Sequence, residues 1–348
     1  MDVLEAITAM TGRPGVTGNE TAVSEVVKEY YEAYADEIWV DRVGNTYARI
    51  GDRGPTLLVM AHMDEVGMMV NGIEENGMLR ICGVAGVDPR VLPGSEVVVH
   101  GSRPLPAVIG ALPPHLQSGG DQEKAYRIEE LICDTGLCAA EVREIVRVGD
   151  NVTFNLLPPM PLKNQRIAGK SLDDRSCIAV MLETMELLKK RRLDCQVIFC
   201  ASVQEEFMSL GALTGSWTTR PDMAIALDVC HAPTPGVKPL RATELEKVGI
   251  SIGGNIHPKL FELIRESADG QNIDWDYKAA AASTGTDAWH IQTQLGGIPC
   301  GLISLPLRYM HTSVEVISLR TLRNCAKVLA GVAAGLGTDW EEKLCLDD

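Results

Sequence analysis

The chain has 348 residues, 45% of them hydrophobic, enough for one large domain or two smaller ones with a sizeable core. A formal net charge of −15 argues against nucleic acid as a partner and against docking on anionic membranes. No apolar run approaches the ~18 residues of a transmembrane helix, the start lacks the basic region of a secretory signal, and the 10 cysteines include no Cys-x-x-Cys pair; the sequence therefore predicts a cytoplasmic protein with reduced, mostly buried thiols.

Residues 19–35 alternate apolar and charged positions at helical spacing, with Asn19 as the cap. Strand-like stretches follow at 37–41 and 45–50, then a turn at Asp52-Arg53-Gly54-Pro55. The run 56–61 is apolar throughout and short enough to be a buried strand, and it ends in His62-Met63-Asp64-Glu65. After about Val70 the character changes. Residues 71–165 hold half of the 18 prolines and a series of short alternating runs, at 78–82, 96–99, 107–111 and 151–154. These predict a small β-rich unit with one short helix over 138–144. His100 and His115 lie in it without acids at ligand spacing and read as structural or surface residues.

The α/β pattern returns at Gly169. Residues 173–191 carry an apolar helical stripe through Ile178, Met181, Leu182, Met185 and Leu188. A second buried strand, 195–200, leads into Gln204-Glu205-Glu206. A short helix over 212–217 and a third buried strand, 223–227, follow, the strand ending at Asp228. His257-Pro258 opens another helix, 298–305 is a further strand, and Ser318 caps a last helix. Strands alternating with helices imply an α/β sheet covered on both faces. The expected architecture is thus a catalytic α/β domain of 1–70 and 166–348, with a central mixed sheet flanked by helices, and an inserted β-barrel-like domain of 71–165.

Ionisable residues recur where the apolar runs end: His62 and Asp64, Asp173 and Asp174, Glu205 and Glu206, Asp228, and His311. In an open α/β sheet the carboxyl ends of strands share one edge, so such groups can converge. Buried carboxylates need a cation, a donor or solvent. Two imidazoles with several carboxylates and no nearby thiol suit Zn²⁺, Co²⁺ or Mn²⁺. Three carboxylates and two imidazoles fill two metal positions when one carboxylate bridges, the arrangement that serves hydrolysis. His62 and Asp64 are two apart on a strand and point to the same side, so Asp64 is placed to orient the imidazole.

The segments Ala61-His62-Met63-Asp64-Glu65-Val66-Gly67, Leu172-Asp173-Asp174-Arg175, Gln204-Glu205-Glu206, Ala226-Leu227-Asp228-Val229 and Arg308-Tyr309-Met310-His311 resemble, in this order, the glutamyl-aminopeptidase family of cytosolic metallopeptidases, which includes the tetrahedral (TET) aminopeptidases. Supporting matches are Pro113-Pro114-His115-Leu116, Gly253-Gly254-Asn255-Ile256-His257-Pro258 and Gly285-Thr286-Asp287-Ala288. The resemblance implies two divalent ions per chain, one held by His62 and Asp228, the other by Glu206 and His311, with Asp173 bridging. It implies Glu205 as the general base, Asp64 as the acid behind His62, and a cis peptide between Asp173 and Asp174. It further implies peptide substrates, an inserted barrel-like domain and assembly into a homo-oligomer, commonly a dodecamer. The chain departs from the family pattern at Thr312-Ser313, usually Ser-Pro, and at Gly254, usually Pro. Neither position is a ligand.

Three readings of function follow. The first is an aminopeptidase. The second is another hydrolase on the same site, a deacylase or carboxypeptidase. The third is a non-catalytic assembly held by metal, against which Glu205 speaks, because a structural site needs no free base. Among the remaining residues, His231 and His257 match no ligand role, His290 packs near Trp289, Asp287 reads as a helix cap, and Arg175 and Arg308 read as supports.

Overall fold

The structure, a computed structural model, describes residues 1–116 and 125–346. Residues 117–124, which fall within the inserted stretch, and 347–348 lie outside the described residues. Eight strands form the central mixed sheet, in the order Glu37–Val40, Thr46–Ile50, Gln196–Ser202, Thr56–His62, Met223–His231, Cys300–Leu307, Val248–Gly253 and Trp275–Ala280. The middle four are mutually parallel, so their carboxyl ends lie on one edge. Their apolar runs are continuous because both faces are covered, and every residue of Thr56–His62 and of Cys300–Leu307 is buried.

Helices Leu172–Leu188 and Leu319–Gly335 pack on this sheet and on each other, and Val3–Thr11 packs on Leu172–Leu188. The last follows the expected pattern: the Ser318 side chain accepts from Thr321 N, and Leu322, Ala326 and Leu329 are buried. Other expectations shift. Glu20, not Asn19, stands at the cap position of helix Thr21–Tyr31, and it makes no side-chain cap bond. Its carboxylate instead accepts from Gly18 N and from Gln204 N, beside the two glutamates. The third buried strand does not stop at Asp228 but runs on to His231, with Asp228 opposite Ser304. Helix Val3–Thr11 and the sheet strands Val248–Gly253 and Trp275–Ala280 were not expected.

Between Thr56–His62 and Leu172–Leu188 the chain builds a closed six-stranded barrel. Its strands are Gly67–Ile73, Leu79–Val84, Ile132–Asp134, Pro104–Gly110, Glu96–His100 and Asn151–Phe154, the last pairing back onto the first. Pro104–Gly110 shows the half-buried alternation clearly: Leu105, Ala107 and Ile109 face in, while the prolines and Val108 face out. The barrel fills itself with a core of its own, including Met68, Val70, Ile81, Val97, Val99 and Phe154.

Candidate metal centre

The parallel register brings the predicted residues to one place. Ser202 lies opposite His62 in the sheet, and Met63 N donates to Ser202 O, so Glu205 and Glu206 begin one turn beyond the histidine. Asp64 fastens the two segments together. Its carboxylate accepts from Glu205 N at 3.0 Å, Glu206 N at 3.1 Å and Thr17 Oγ1 at 2.8 Å. Asp173 and Asp174 are joined by a cis peptide and open helix Leu172–Leu188 with non-helical backbone. Ser171, Gln204, Tyr309 and His311 all take left-handed backbone conformations without being glycine. Such residues cluster where packing holds a site in place.

The two carboxylate oxygens of Asp173 face different imidazoles. His62 Nε2 lies 3.3 Å from Oδ1, and His311 Nε2 lies 3.4 Å from Oδ2. Glu206 Oε1 is 3.2 Å from the same His311 nitrogen, and Glu205 Oε2 is 3.8 Å from His62 Nε2. His62, Asp174 and Asp228 offer ligand atoms within 4.8 Å of one another, as do His62, Asp173 and Glu206. Each imidazole has its other nitrogen against a carbonyl: His62 Nδ1 is 3.1 Å from Asp64 O, and His311 Nδ1 is 3.3 Å from Gly86 O. A carbonyl only accepts, so both Nδ1 atoms carry a proton, and it is the Nε2 atoms that are turned toward the carboxylates.

The charges in this cluster are unbalanced. Burial pushes Glu205 well above the usual carboxylate range, with Asp228, Asp287 and Glu206 adding to the rise and His62 opposing it. Burial likewise pushes Asp228 up to about 8 and Asp174 well above its ordinary value. Burial works against Asp173 and Asp64 too, but their histidine neighbours hold both below the usual range. His311 resists burial and rises to about 11 on its contacts with Asp173 and Glu206. Asp174 Oδ1 is buried and has no hydrogen-bond partner. Oxygen and imidazole donors of this kind, packed around an unmatched acidic centre, fit divalent cations. Binding such ions requires the imidazoles neutral and the carboxyls ionised.

Three groups outside the predicted set build the site. Glu315 accepts from Asp173 N at 3.1 Å and from His311 N at 2.8 Å, so one side chain positions two candidate ligands. Glu65 is fully buried and accepts from Lys170 Nζ at 2.6 Å, Arg175 Nη2 at 3.1 Å and Gly15 N at 3.1 Å. Arg175 adds bonds to the carbonyls of Met63, Met10 and Arg13, which makes it a support, as expected. Glu65→Gln leaves two buried cations facing a neutral amide. Denaturant unfolding of that variant is expected to lose ~3–5 kcal/mol; a loss under ~1 kcal/mol would contradict this reading of the network.

The third group is Gly86, in the barrel segment that follows Leu79–Val84. Besides accepting from His311, it leaves room for the ring: a Cβ here would lie 2.9 Å from Nδ1 and 3.1 Å from Cε1. The barrel thereby reaches the candidate centre. Gly86→Ala is expected to weaken metal binding about 10–100-fold, the usual cost of disturbing a group behind a ligand. A metal titration by calorimetry measures it; unchanged affinity would refute the link.

Some predicted bystanders remain so. His100 Nε2 pairs with Thr153 Oγ1 inside the barrel region, and His115 is exposed. Asp287 begins a five-residue helix but accepts from Ser202 Oγ rather than capping, and burial raises it to about 6. His231 does not join the cluster, but it lines the crevice beside it.

The sequence pattern of M42 glutamyl aminopeptidases matches residues 44–328. The chain belongs to the M42 glutamyl aminopeptidase family. It is accordingly a peptidase, and the central mixed sheet with its attached barrel is the fold of the TET peptidases. This M42 chain is 33% identical to the lysyl aminopeptidase of Pyrococcus furiosus, over 90% of its own length and 92% of the relative's. With the glutamyl aminopeptidase of Lactococcus lactis subsp. cremoris it shares 26% identity over 97% and 98%. Among solved structures, the TET aminopeptidase of a marine sediment Thaumarchaeota archaeon superposes with a TM-score of 0.93, at 28% identity and 99% coverage of both chains. The TET1 peptidase of Pyrococcus horikoshii, which can assemble into a tetrahedron or a large octahedral shell, superposes at 0.85 with 27% identity, covering 96% of this chain and all of that one.

Proposed function

We propose that this chain is an aminopeptidase that removes N-terminal residues from short peptides with the help of two divalent metal ions. The observation that carries the reading is the division of Asp173 between two imidazoles, one carboxylate oxygen toward each. In this reading His62 and Asp228 would hold one ion and Glu206 and His311 the other, with Asp173 shared between them. Zn²⁺ and Co²⁺ fit the donors best, with Mn²⁺ also compatible. The catalytic unit is 1–70 with 166–348, and 71–165 is the inserted unit.

Such ions, when bound, lower the pKa of a water and polarise a carbonyl. The chain's own residues do the rest. Glu205 takes a proton from the attacking water and returns it to the leaving amine. Its buried, partly acidic surroundings favour holding that proton between the two steps. Asp64 keeps the His62 ring oriented and fixes the backbone of Glu205 and Glu206. The free amine of the substrate is met by the acidic cluster, which restricts cleavage to the first residue.

A panel of peptides with free and with N-acetylated termini, run with several divalent ions, tests this directly. Hydrolysis of free-amine peptides alone is expected. Turnover of acetylated substrates would favour a deacylase, release of C-terminal residues a carboxypeptidase, and no turnover with any ion a metal-held assembly. All ten cysteines are free and most are buried, which supports a reducing, cytoplasmic setting. No described helix is long and apolar enough to cross a membrane. The TET relatives support a closed homo-oligomer, a dodecamer. Light scattering on metal-loaded protein is expected to give a mass many times that of one chain; a strict monomer at micromolar concentration would refute the assembly, not the chemistry.

A further inference from the structure

Glu205 and Glu206 stand on a segment too short to hold itself. Helix Glu205–Met208 is a single turn, entered through Gln204 and left through Ser209, both in left-handed backbone without being glycine. So short a helix has few bonds of its own, and left-handed backbone persists at such residues only where the surroundings fix it. The backbone N–H groups of residues 203 to 206 each go to a side chain from a distant part of the chain. Val203 N donates to Asn45 Oδ1 at 3.1 Å, Gln204 N to Glu20 Oε1 at 3.2 Å, and Glu205 N and Glu206 N to the two oxygens of Asp64. Asn45 Nδ2 donates in turn to Gly211 O at 3.1 Å, so this one amide ties the two ends of the loop from Val203 to Gly211.

Asp64 already has a place behind His62, whereas Glu20 has none in the chemistry so far. It is buried, stands at the cap position of helix Thr21–Tyr31, and does not cap that helix. Its Oε1 serves Gly18 N and Gln204 N instead. Thr17, in the same turn, donates to Asp64 Oδ2 at 2.8 Å, the oxygen that also holds Glu206 N. The turn before this helix thus reaches the base-bearing segment twice, directly through Glu20 and indirectly through Asp64. We propose that Glu20 is a positioning residue for the base: by holding Gln204 N it fixes the left-handed entry to the turn, and so sets where the Glu205 carboxyl stands. This rests on the aminopeptidase reading. What Glu20 supplies is an acceptor oxygen rather than a charge. A general base works only within hydrogen-bond reach of its proton, and a misplacement of about 1 Å costs on the order of 10²-fold in rate.

The test uses the full-length, metal-loaded chain and free-amine peptides. Glu20→Ala is expected to lower kcat about 10–100-fold, with KM and metal content near wild type. Glu20→Met, of similar length but without an acceptor oxygen, is a second variant with the same expected loss. Glu20→Gln keeps an acceptor oxygen at the same reach and is expected to recover most of it. In a Glu205→Gln background the base is already gone, so adding Glu20→Ala lowers kcat by less than about twofold. Hydrogen exchange reads the same hold without turnover. In Glu20→Ala the amides of residues 203–209 are expected to exchange at least about tenfold faster, while helix Thr21–Tyr31 exchanges as in the unaltered protein. Full kcat in Glu20→Ala, on a chain that turns peptides over, would overturn the inference and leave the aminopeptidase standing. So would equal losses with and without Glu205→Gln, a Glu20→Gln protein as impaired as Glu20→Ala, or recovery of kcat on adding excess metal. No turnover by the unaltered chain with any ion would remove the aminopeptidase reading, and the inference with it.

Discussion

Glu205→Gln lowers kcat by at least about 10²–10⁴, the usual contribution of a general acid–base group, while metal content stays at its wild-type level. Gln keeps the shape of the side chain and removes its ability to take a proton. The backbone of residue 205 still donates to Asp64 Oδ1, so the turn that carries both glutamates is undisturbed. KM changes little, because the lost interaction belongs to the transition state. Glu206→Gln behaves differently. Glu206 Oε1 faces His311 Nε2 at 3.2 Å, so this change weakens metal binding and activity together. Steady-state kinetics with metal analysis of both variants separates the roles. Near-normal kcat in Glu205→Gln would overturn the base assignment. Loss of metal there, with retention in Glu206→Gln, would show that the two glutamates have exchanged duties.

Asp173→Asn is expected to abolish tight binding of both ions and to reduce kcat/KM by more than about 10³, since polarisation and water activation are worth several kcal/mol together. Asn has one acceptor oxygen and one amide nitrogen that only donates. Whichever way it sits, one of the two imidazoles loses its shared carboxylate oxygen. Far-UV circular dichroism close to wild type would show that the fold survives, and elemental analysis would give the metal count. An Asp173→Asn protein that keeps two tightly bound ions would disprove bridging by this residue.

The parallel core was legible because strands covered on both faces are written as unbroken apolar runs, and 56–61 and 223–227 are such runs. The candidate site was legible in part for a related reason: His62 and Asp228 follow those runs, while Asp173 and His311 were marked by their resemblance to the family pattern. Among the elements that escaped notice, two differ in how much signal they carry. Helix Val3–Thr11 does carry a signal, since the Asp2 side chain accepts from Leu4 N and Glu5 N, and Val3, Ala6, Ile7 and Met10 form its buried face. Strand Trp275–Ala280 carries little, because it lies at the sheet edge and its residues are only partly buried. Glu315 stands four residues after His311, as in the family pattern, but its bond to Asp173 N spans 142 residues of chain and that of Gly86 to His311 spans 225, and no local pattern marks either contact.

The most direct test of the two-ion account is the number of divalent ions bound per chain, followed by elemental analysis as chelated protein is reloaded with Co²⁺ and aminopeptidase turnover is assayed at each step. Activity is predicted to be absent after exhaustive chelation and to reach its plateau with two ions bound to each chain. Full turnover with one ion bound, or with none, would contradict it.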